Sequence, residues 1–136
     1  MQTLQLLYKS DFYELEADME DGIIRANWLR SVVKSEMVAG GTKLHDVLLE
    51  TGLTKVITNA QNLKSLDADT KEWMSAELYR LLSQTGLEKI ARVLPTNLFY
   101  QIALESVVTR AEALGVVKFQ YKNFSDNQVA LEWLKH

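Results

Sequence analysis

Polar side chains follow two predicted strands of this chain, at the points where those strands end. In an open α/β sheet, ligands bind beyond the carboxyl ends of the strands, beside helix N-termini that favour anions. Amide and hydroxyl side chains with one lysine there predict a weak site for a small polar or anionic group. Asn and Thr are also typical of turns and caps, so both interpretations stay open. The residues concerned are Asn59, Gln61, Asn62, Lys64, Thr96 and Asn97.

Arg92 is a single charge in the middle of a predicted strand that runs from 89 to 94. Arginine is almost never fully buried unless it has a partner. Its position therefore allows an exposed strand face, a structural ion pair or polar contact in the core, or a contact with a ligand.

His45 and Asp46 are the residues closest to an acid–base pair. Adjacent residues of a helix point about 100° apart, so this aspartate is not expected to orient the imidazole. A structural histidine is the favoured interpretation. With no cysteine, and with the second histidine, His136, at the end of the chain, we expect neither a metal site nor a cofactor.

Three other groups of residues have weaker chemical interpretations. Gly40 to Lys43 resembles a phosphate loop but lacks the longer Walker spacing. Acidic residues crowd the first predicted hairpin, where a solvated edge is favoured over acid–base chemistry. The tryptophans suit core packing better than an aromatic pocket. The acidic residues of the hairpin are Glu14, Glu16, Asp18, Glu20 and Asp21, and the tryptophans are Trp28, Trp73 and Trp133.

The elements that position these residues are predicted in the order β-β-β-α-β-α-β-α-β-α. Apolar alternation and the Asp21-Gly22 turn signal indicate an N-terminal antiparallel hairpin, and the β-α units that follow indicate a largely parallel sheet. Strands are expected at 4–9, 12–18, 23–29, 55–58, 89–94 and 116–121. Helices are expected to begin near Ser35, at Asp67 or Asp69, at Thr96 or Asn97, and at Ser125, which would form a capping box with Gln128.

Apolar residues at helical spacing predict which helix faces are buried. Gly40 and Gly41, inside the first helix, predict a close helix–sheet approach or a frayed first turn. The predicted stripes are Met74, Leu78, Leu81 and Leu82 in the second helix, and Phe99, Ile102, Ala103, Val107, Ala111 and Leu114 in the third.

Composition is ordinary for a globular protein and predicts a single domain over residues 1–136, with 47% hydrophobic and 24% charged residues. The net charge is −3 and the basic residues are scattered, so we do not expect nucleic-acid binding. No apolar run approaches the roughly 20 residues of a membrane span, and the N-terminus has no signal-peptide pattern. A cytoplasmic location is the expectation.

The order of elements and a set of short motifs resemble the STAS family, the anti-sigma-factor-antagonist fold, which is close to the CRAL-TRIO lipid-transfer domains. The chain is most similar to small uncharacterised bacterial STAS-like proteins. The resemblance implies one α/β domain with a mixed sheet. The motifs are Trp28, Ser35-Glu36, Asn62-Leu63, Asp69, Glu72-Trp73, the run from Lys89 to Pro95, and the run from Ala130 to Leu134.

Phosphorylatable STAS proteins resemble one another in an Asp-Ser pair that opens the second helix. The matching positions here are Asp67 and Ala68, which lack the acceptor hydroxyl, while Ser65 and Thr70 are nearby but out of register. The resemblance therefore implies a protein-binding or small-ligand-binding module rather than a phosphorylation switch.

Three functions follow as hypotheses. The first is a non-enzymatic regulatory interaction module that binds an unidentified protein or a second copy of itself. The second is a carrier of a small apolar ligand or lipid. The third is an enzyme that uses the polar cluster at the strand ends, for which the sequence offers no nucleophile or paired histidines.

Overall fold

Three strands joined by short turns open the fold. They are β1 (Leu4–Lys9), β2 (Tyr13–Asp18) and β3 (Ile23–Trp28), and each is antiparallel to the next. Gly22, at φ +69°, makes the β2–β3 turn that the Asp-Gly signal predicts, because glycine adopts this conformation without a steric penalty. The structure is a computed structural model that describes residues 4–136.

The rest of the chain alternates helices with parallel strands. The sheet has six strands in the order β1 to β6, and the β3–β4, β4–β5 and β5–β6 pairs are parallel. This mixed α/β architecture, with its N-terminal antiparallel hairpin, confirms the predicted fold class. The elements are α1 (Lys34–Thr51), β4 (Lys55–Asn59), α2 (Ala68–Trp73), a π-helical segment (Met74–Leu78), α3 (Tyr79–Leu82), β5 (Lys89–Val93), α4 (Leu98–Ala113), β6 (Gln120–Phe124) and α5 (Asn127–Lys135).

Helices cover both faces of the sheet. The larger core lies between one face and the helices α1 to α4, and α5 alone covers strands β4 to β6 on the other face. The strands in the middle of the sheet are therefore apolar on both faces, as parallel strands usually are. The core under α5 consists of Ile23, Ile57, Ala91, Val93, Ala130, Leu131 and Leu134.

The glycine pair of α1 marks a close approach of this helix to its neighbours. A Cβ atom at Gly40 would lie 2.7 Å from Cη2 of Trp28, and one at Gly41 would lie 2.7 Å from Cδ1 of Leu78. Both glycines lie in the interior of α1, so the alternative of a frayed first turn is wrong, and the predicted close approach to the sheet is confirmed at Gly40, while Gly41 lies against the π-helical segment and α2.

The π-helical segment changes the core face predicted for the second helix. Tyr79 N–H bonds to the Met74 carbonyl, five residues earlier, so one turn there holds an extra residue. Met74, Leu78 and Leu82 are buried as predicted. Tyr79 is also buried, while Leu81 is only partly buried, because the wide turn rotates the following residues.

Helix α4 turns a different face to the core from the one predicted. Val107 and Ala111 are buried as expected, together with Leu104 and Val108. The predicted core residues at the other positions lie outside: Phe99 is 82% exposed, and Ile102 and Leu114 are more than half exposed, while Ala103 is partly buried.

The last strand also differs from its prediction at 116–121. Residues 116–118 stay in a loop because Ser83 Oγ donates to the Val116 carbonyl at 2.7 Å and accepts from Lys118 N–H at 3.1 Å. Strand β6 therefore begins at Gln120.

Two helix caps differ from the predicted ones. Helix α5 is capped by Asp126, whose Oδ1 accepts from Val129 N–H at 3.0 Å, instead of by Ser125. Helix α1 begins after Val33 rather than at Ser35, and Glu36 accepts from Val33 N–H. Within residues 4–136, no helix is long and apolar enough to cross a bilayer.

Candidate functional site

The first predicted polar group follows β4, and its side chains bind mostly to the chain itself. Asn59 Oδ1 accepts from Gln61 N–H at 3.0 Å, and the two side-chain amides are 3.3 Å apart. Asn62 Nδ2 donates to the Trp28 carbonyl at 3.2 Å. Lys64 N–H donates to Ser31 Oγ, which ties the loops after β3 and β4 together.

The second predicted polar group follows β5, at the same edge of the sheet. Asn97 Oδ1 accepts from Phe99 N–H and Tyr100 N–H and so caps α4. The Thr96 carbonyl accepts from Gln101 Nε2 at 3.4 Å. The topology thus brings both groups to one edge, where their hydrogen bonds make turns and a cap. Ligand binding or catalysis by these residues stays a prediction.

Arg92 is buried, with 3% of its surface exposed. Its Nη2 donates to the Leu104 carbonyl of α4 at 2.7 Å, and its Nη1 has no hydrogen-bond partner. Arg92 is therefore a polar contact inside the core rather than a residue of an exposed strand face.

Two further polar residues share the level of Arg92 on the sheet. Thr58 of β4 and Asn123 of β6 pair with it in the parallel register, so their side chains lie on the same face. Asn123 Oδ1 is buried and has no hydrogen-bond partner. We call Thr58, Arg92 and Asn123 the polar row. The sequence analysis missed Thr58 and Asn123, and the only signal for them is a polar side chain on the inward face of an apolar strand.

A cavity of about 50 Å³ lies between two residues of the polar row, Thr58 and Arg92, and the helices. Thr58 and Arg92 line its sheet side, and α1, the π-helical segment and α4 close it on the other side. Burial raises the pKa of Tyr13, another lining residue, above its ordinary value. The other lining residues are Trp28, Met37, Gly41, Leu44, Ala60, Leu63, Met74, Leu78, Tyr79, Leu82, Ile90 and Leu104.

The exposed apolar face of α4 is the second notable feature. Leu98, Phe99 and Ile102 have 66%, 82% and 54% of their surfaces exposed, although they belong to an ordered helix. They lie within about one helical turn of one another and on the side opposite the buried residues. An isolated exposed apolar residue needs no explanation, but a cluster of this kind is typical of an interaction site.

His45 and Asp46 form a pair, which the sequence analysis did not expect. His45 Nδ1 lies 3.0 Å from Asp46 Oδ1. Neighbouring helix residues diverge, but a short carboxylate can fold back along the helix surface to reach the ring. His45 does not line the core cavity. No group of three histidine, aspartate or glutamate side chains in the part of the chain that the structure describes is arranged to hold a metal ion.

The sequence analysis expected the acidic residues of the hairpin to be solvated, but not all of them are. Asp18 is fully buried, accepts from Asp21 N–H at 3.1 Å and lies 3.6 Å from Arg25. Glu14 lies 3.6 Å from Lys9. Asp18 is therefore a structural turn residue, because its carboxylate holds the β2–β3 turn.

The start of α2 is the position of the STAS phosphoacceptor. Asp67 caps this helix by accepting from Thr70 N–H at 2.8 Å, and this bond lowers the pKa of Asp67. Thr70 is fully buried, so a kinase has no access to its hydroxyl in the folded chain. Ser65 is exposed in the preceding loop.

Comparisons with known proteins support the fold and no more than the fold. The NMR structure of the protein TM1081 superposes with a TM-score of 0.59 at 15% identity, covering 96% of this chain and 92% of that one. An uncharacterized protein of the DUF3478 family from Shewanella loihica PV-4, which has a SpoIIAA-like fold, superposes with a TM-score of 0.54 at 14% identity, covering 98% and 93%. No protein-family model and no curated protein matches the sequence. The chain therefore has a SpoIIAA-like, that is STAS-like, fold, as the resemblance implied.

Proposed function

We propose that this chain is a non-catalytic regulatory module of the cytoplasm that binds a partner protein on the outer face of α4. The observation that carries the proposal is the exposure of Leu98, Phe99 and Ile102 on one side of an ordered helix. The solvent face of a surface helix is normally charged or polar. Large aromatic and aliphatic side chains that stay exposed are typical anchors of a protein interface.

The uncharged character extends along the whole outer face of α4. Ser106, Thr109 and Ala113 continue the row that Leu98 and Ile102 begin, at helical spacings of three and four residues, and all three are exposed. This surface has no charge at its centre, so a partner can cover it without burying an unpaired ion. We call the residues 98, 99, 102, 106, 109 and 113 the α4 face.

The α4 face is also held in place before a partner binds. Asn97 caps the first turn of the helix, and Arg92 Nη2 donates to the carbonyl of Leu104 from below. A surface that is already ordered loses less conformational entropy on binding, which favours affinity.

The charges beside the α4 face indicate the chemistry of the partner. Glu105 and Glu112 lie exposed along one flank of the helix, Arg110 on the other flank is paired with Glu72, and the whole chain carries a net charge of −3. We therefore propose a partner that presents an apolar helix face flanked by lysine or arginine. Complementary charges of this kind steer association and set the register of the interface.

The alternative of a lipid carrier has less support. Pockets that enclose drug-sized ligands have volumes of roughly 300–1,000 Å³. The core cavity of about 50 Å³ is far smaller than the space that a lipid chain needs.

Photo-crosslinking tests the proposal even though the partner is unidentified. A photoreactive amino acid is placed at Ile102 on the α4 face and, as the matched control, at Leu49 on α1, which is 56% exposed. We expect a protein other than this chain to crosslink to the probe at position 102 and not to the probe at position 49. The captured protein is then purified and titrated against the wild type and the Ile102→Ser variant.

Three results would overturn the proposal. One is the absence of any specific crosslink from position 102, and another is equal crosslinking from both positions. The third is a crosslink to a second copy of the chain alone, which would assign the α4 face to self-association.

A further inference from the structure

The arginines of this protein differ in how their charges are compensated. Four of them have an acidic oxygen within 4.0 Å: Arg25 with Asp18, Arg30 with Asp11 and Glu36, Arg80 with Glu77, and Arg110 with Glu72. Arg92 is more deeply buried than these, yet no carboxylate of residues 4–136 lies within that distance of it. Its guanidinium has the single hydrogen bond to the Leu104 carbonyl.

A buried guanidinium without an acidic partner cannot become neutral by losing its proton, because arginine stays charged in proteins. A buried charge without a counter-ion is strongly destabilising, so buried arginines are normally paired. The unpaired Nη1 of Arg92 therefore points to an anionic or strongly accepting group as the partner that would complete its surroundings.

The cavity beside Arg92 has the size and lining for a small organic anion. One water needs about 10–15 Å³ of such space, so about 50 Å³ accommodates about three to five non-hydrogen atoms, which is the size range of acetate and propionate. Thr58 and Arg92 supply polar contacts at the sheet, while Met37, Leu44 and Leu78 are among the apolar residues at the opposite wall. A group with one charged end and one short apolar end matches this division.

A carboxylate fits the charged side of the cavity better than phosphate does. One guanidinium offers a planar fork of donors that matches the two oxygens of a carboxylate. A phosphate dianion would bring two charges to one buried cation among apolar walls, which leaves a charge uncompensated.

We infer that the cavity between Thr58 and Arg92 on the sheet and the π-helical segment binds a small organic carboxylate, with its oxygens at Nη1 of Arg92 and at Thr58 and its short alkyl end toward α1. No residue of the α4 face lines this cavity, and the two proposals are tested by different ligands and different variants, although Arg92 also holds α4 through the Leu104 carbonyl. Asn123 offers the competing arrangement, because its unpartnered Oδ1 is the neighbour of Arg92 in the register and a change of rotamer could pair the two.

The test is an NMR titration of the uniformly ¹⁵N-labelled full-length chain with sodium acetate and sodium propionate, with sodium chloride as the control at equal ionic strength. We expect saturable amide shifts at Met37, Gly41 and Met74, which line the cavity, with dissociation constants in the millimolar range. Chloride should produce no saturable shift at these positions.

Variants assign the binding to Arg92. Arg92→Lys keeps the charge but loses the planar guanidinium, and we expect it to bind propionate at least five-fold more weakly. Thr58→Val should weaken propionate binding about two- to three-fold. Arg110→Met removes an exposed arginine and should leave binding unchanged. Arg92→Lys and Thr58→Val are conservative changes, so the folded state of each is checked first by circular dichroism and the affinity is then compared with that of the wild type.

The inference is overturned by any of three outcomes. No saturable shift with either carboxylate would show that water or Asn123 satisfies Arg92. The same response to chloride would show that carboxylate is not the preferred ligand. Unchanged propionate affinity in a folded Arg92→Lys variant would place the ligand elsewhere.

Discussion

Replacing Gly40 by alanine tests the close approach of α1 to the sheet. The new Cβ would lie 2.7 Å from Cη2 of Trp28, where ordinary contact begins at 3.4 Å, and 3.2 Å from Cδ2 of Tyr13. Trp28 cannot easily retreat, because its ring lies on Tyr13 with the two ring centroids 4.1 Å apart. The helix must therefore move away from the sheet or the rings must shift.

Two opposing effects set the size of the change. Overpacking of a close-packed core costs about 1–3 kcal/mol. Alanine in a helix interior recovers about 0.5–1 kcal/mol relative to glycine. We therefore expect Gly40→Ala to lower the free energy of unfolding by about 1–2 kcal/mol, which in urea lowers the midpoint by about 1 M for a chain of this size.

Gly86→Ala is the matched control. The nearest atom to a Cβ at Gly86 is 4.0 Å away, on Thr54, and Gly86 is not among the glycines with positive φ. We expect this variant to be neutral or more stable by up to about 1 kcal/mol. Both variants are measured by urea unfolding followed by circular dichroism. If Gly40→Ala proves as stable as Gly86→Ala, the close approach of α1 to Trp28 is incorrect.

Two further predictions concern single hydrogen bonds. Tyr121 donates a hydrogen bond to Glu112, and this bond raises the pKa of Tyr121 to about 12. Because this pKa is higher in the folded chain than in the unfolded chain, the bond stabilises the fold fully below about pH 10, the ordinary tyrosine value. This contribution to stability is lost as the pH rises toward 12. The stability difference between the wild type and Tyr121→Phe should therefore shrink from about pH 10 to pH 12 in urea unfolding series, and a difference that is constant across that range would contradict this reasoning. Asp126→Ala removes the cap of α5 and should lower the free energy of unfolding, measured in urea, by about 1 kcal/mol, while Ser125→Ala should leave it nearly unchanged. A larger loss for Ser125→Ala than for Asp126→Ala would show that Ser125 is the cap.

Local signals in the sequence were sufficient for the order of the elements. The N-terminal hairpin follows from alternation and from Gly22, and the glycine pair in α1 correctly indicated a tight contact. These features depend on a few neighbouring residues, and the same neighbours determine them in the folded protein.

The face of α4 was not predictable in this way. Its first turns carry large apolar residues on both sides, with Leu98, Phe99 and Ile102 on one side and Leu104 and Val108 on the other. Periodicity alone cannot decide which of two apolar stripes meets the sheet. In the folded chain Leu104, Val107, Val108 and Ala111 pack in the larger core, and this packing depends on the arrangement of the other elements.

The candidate site was predicted only in part, for a similar reason. Arg92 was identified because a charge inside an apolar strand is visible in the sequence. Thr58 and Asn123 become its neighbours only through the parallel register of β4, β5 and β6. Polar residues at the strand ends were more conspicuous, but Asn59 and Asn97 serve a turn and a cap.

The α4 face is tested most directly by the affinity of the captured partner for three forms of the chain, measured by isothermal titration calorimetry. Loss of a central aromatic anchor commonly costs about 2 kcal/mol or more of binding, which is about a 30-fold change. We predict at least that loss for Phe99→Ser and no change for Leu49→Ser, which removes an exposed apolar side chain from α1. Equal affinity of all three forms would show that the α4 face is not the docking surface.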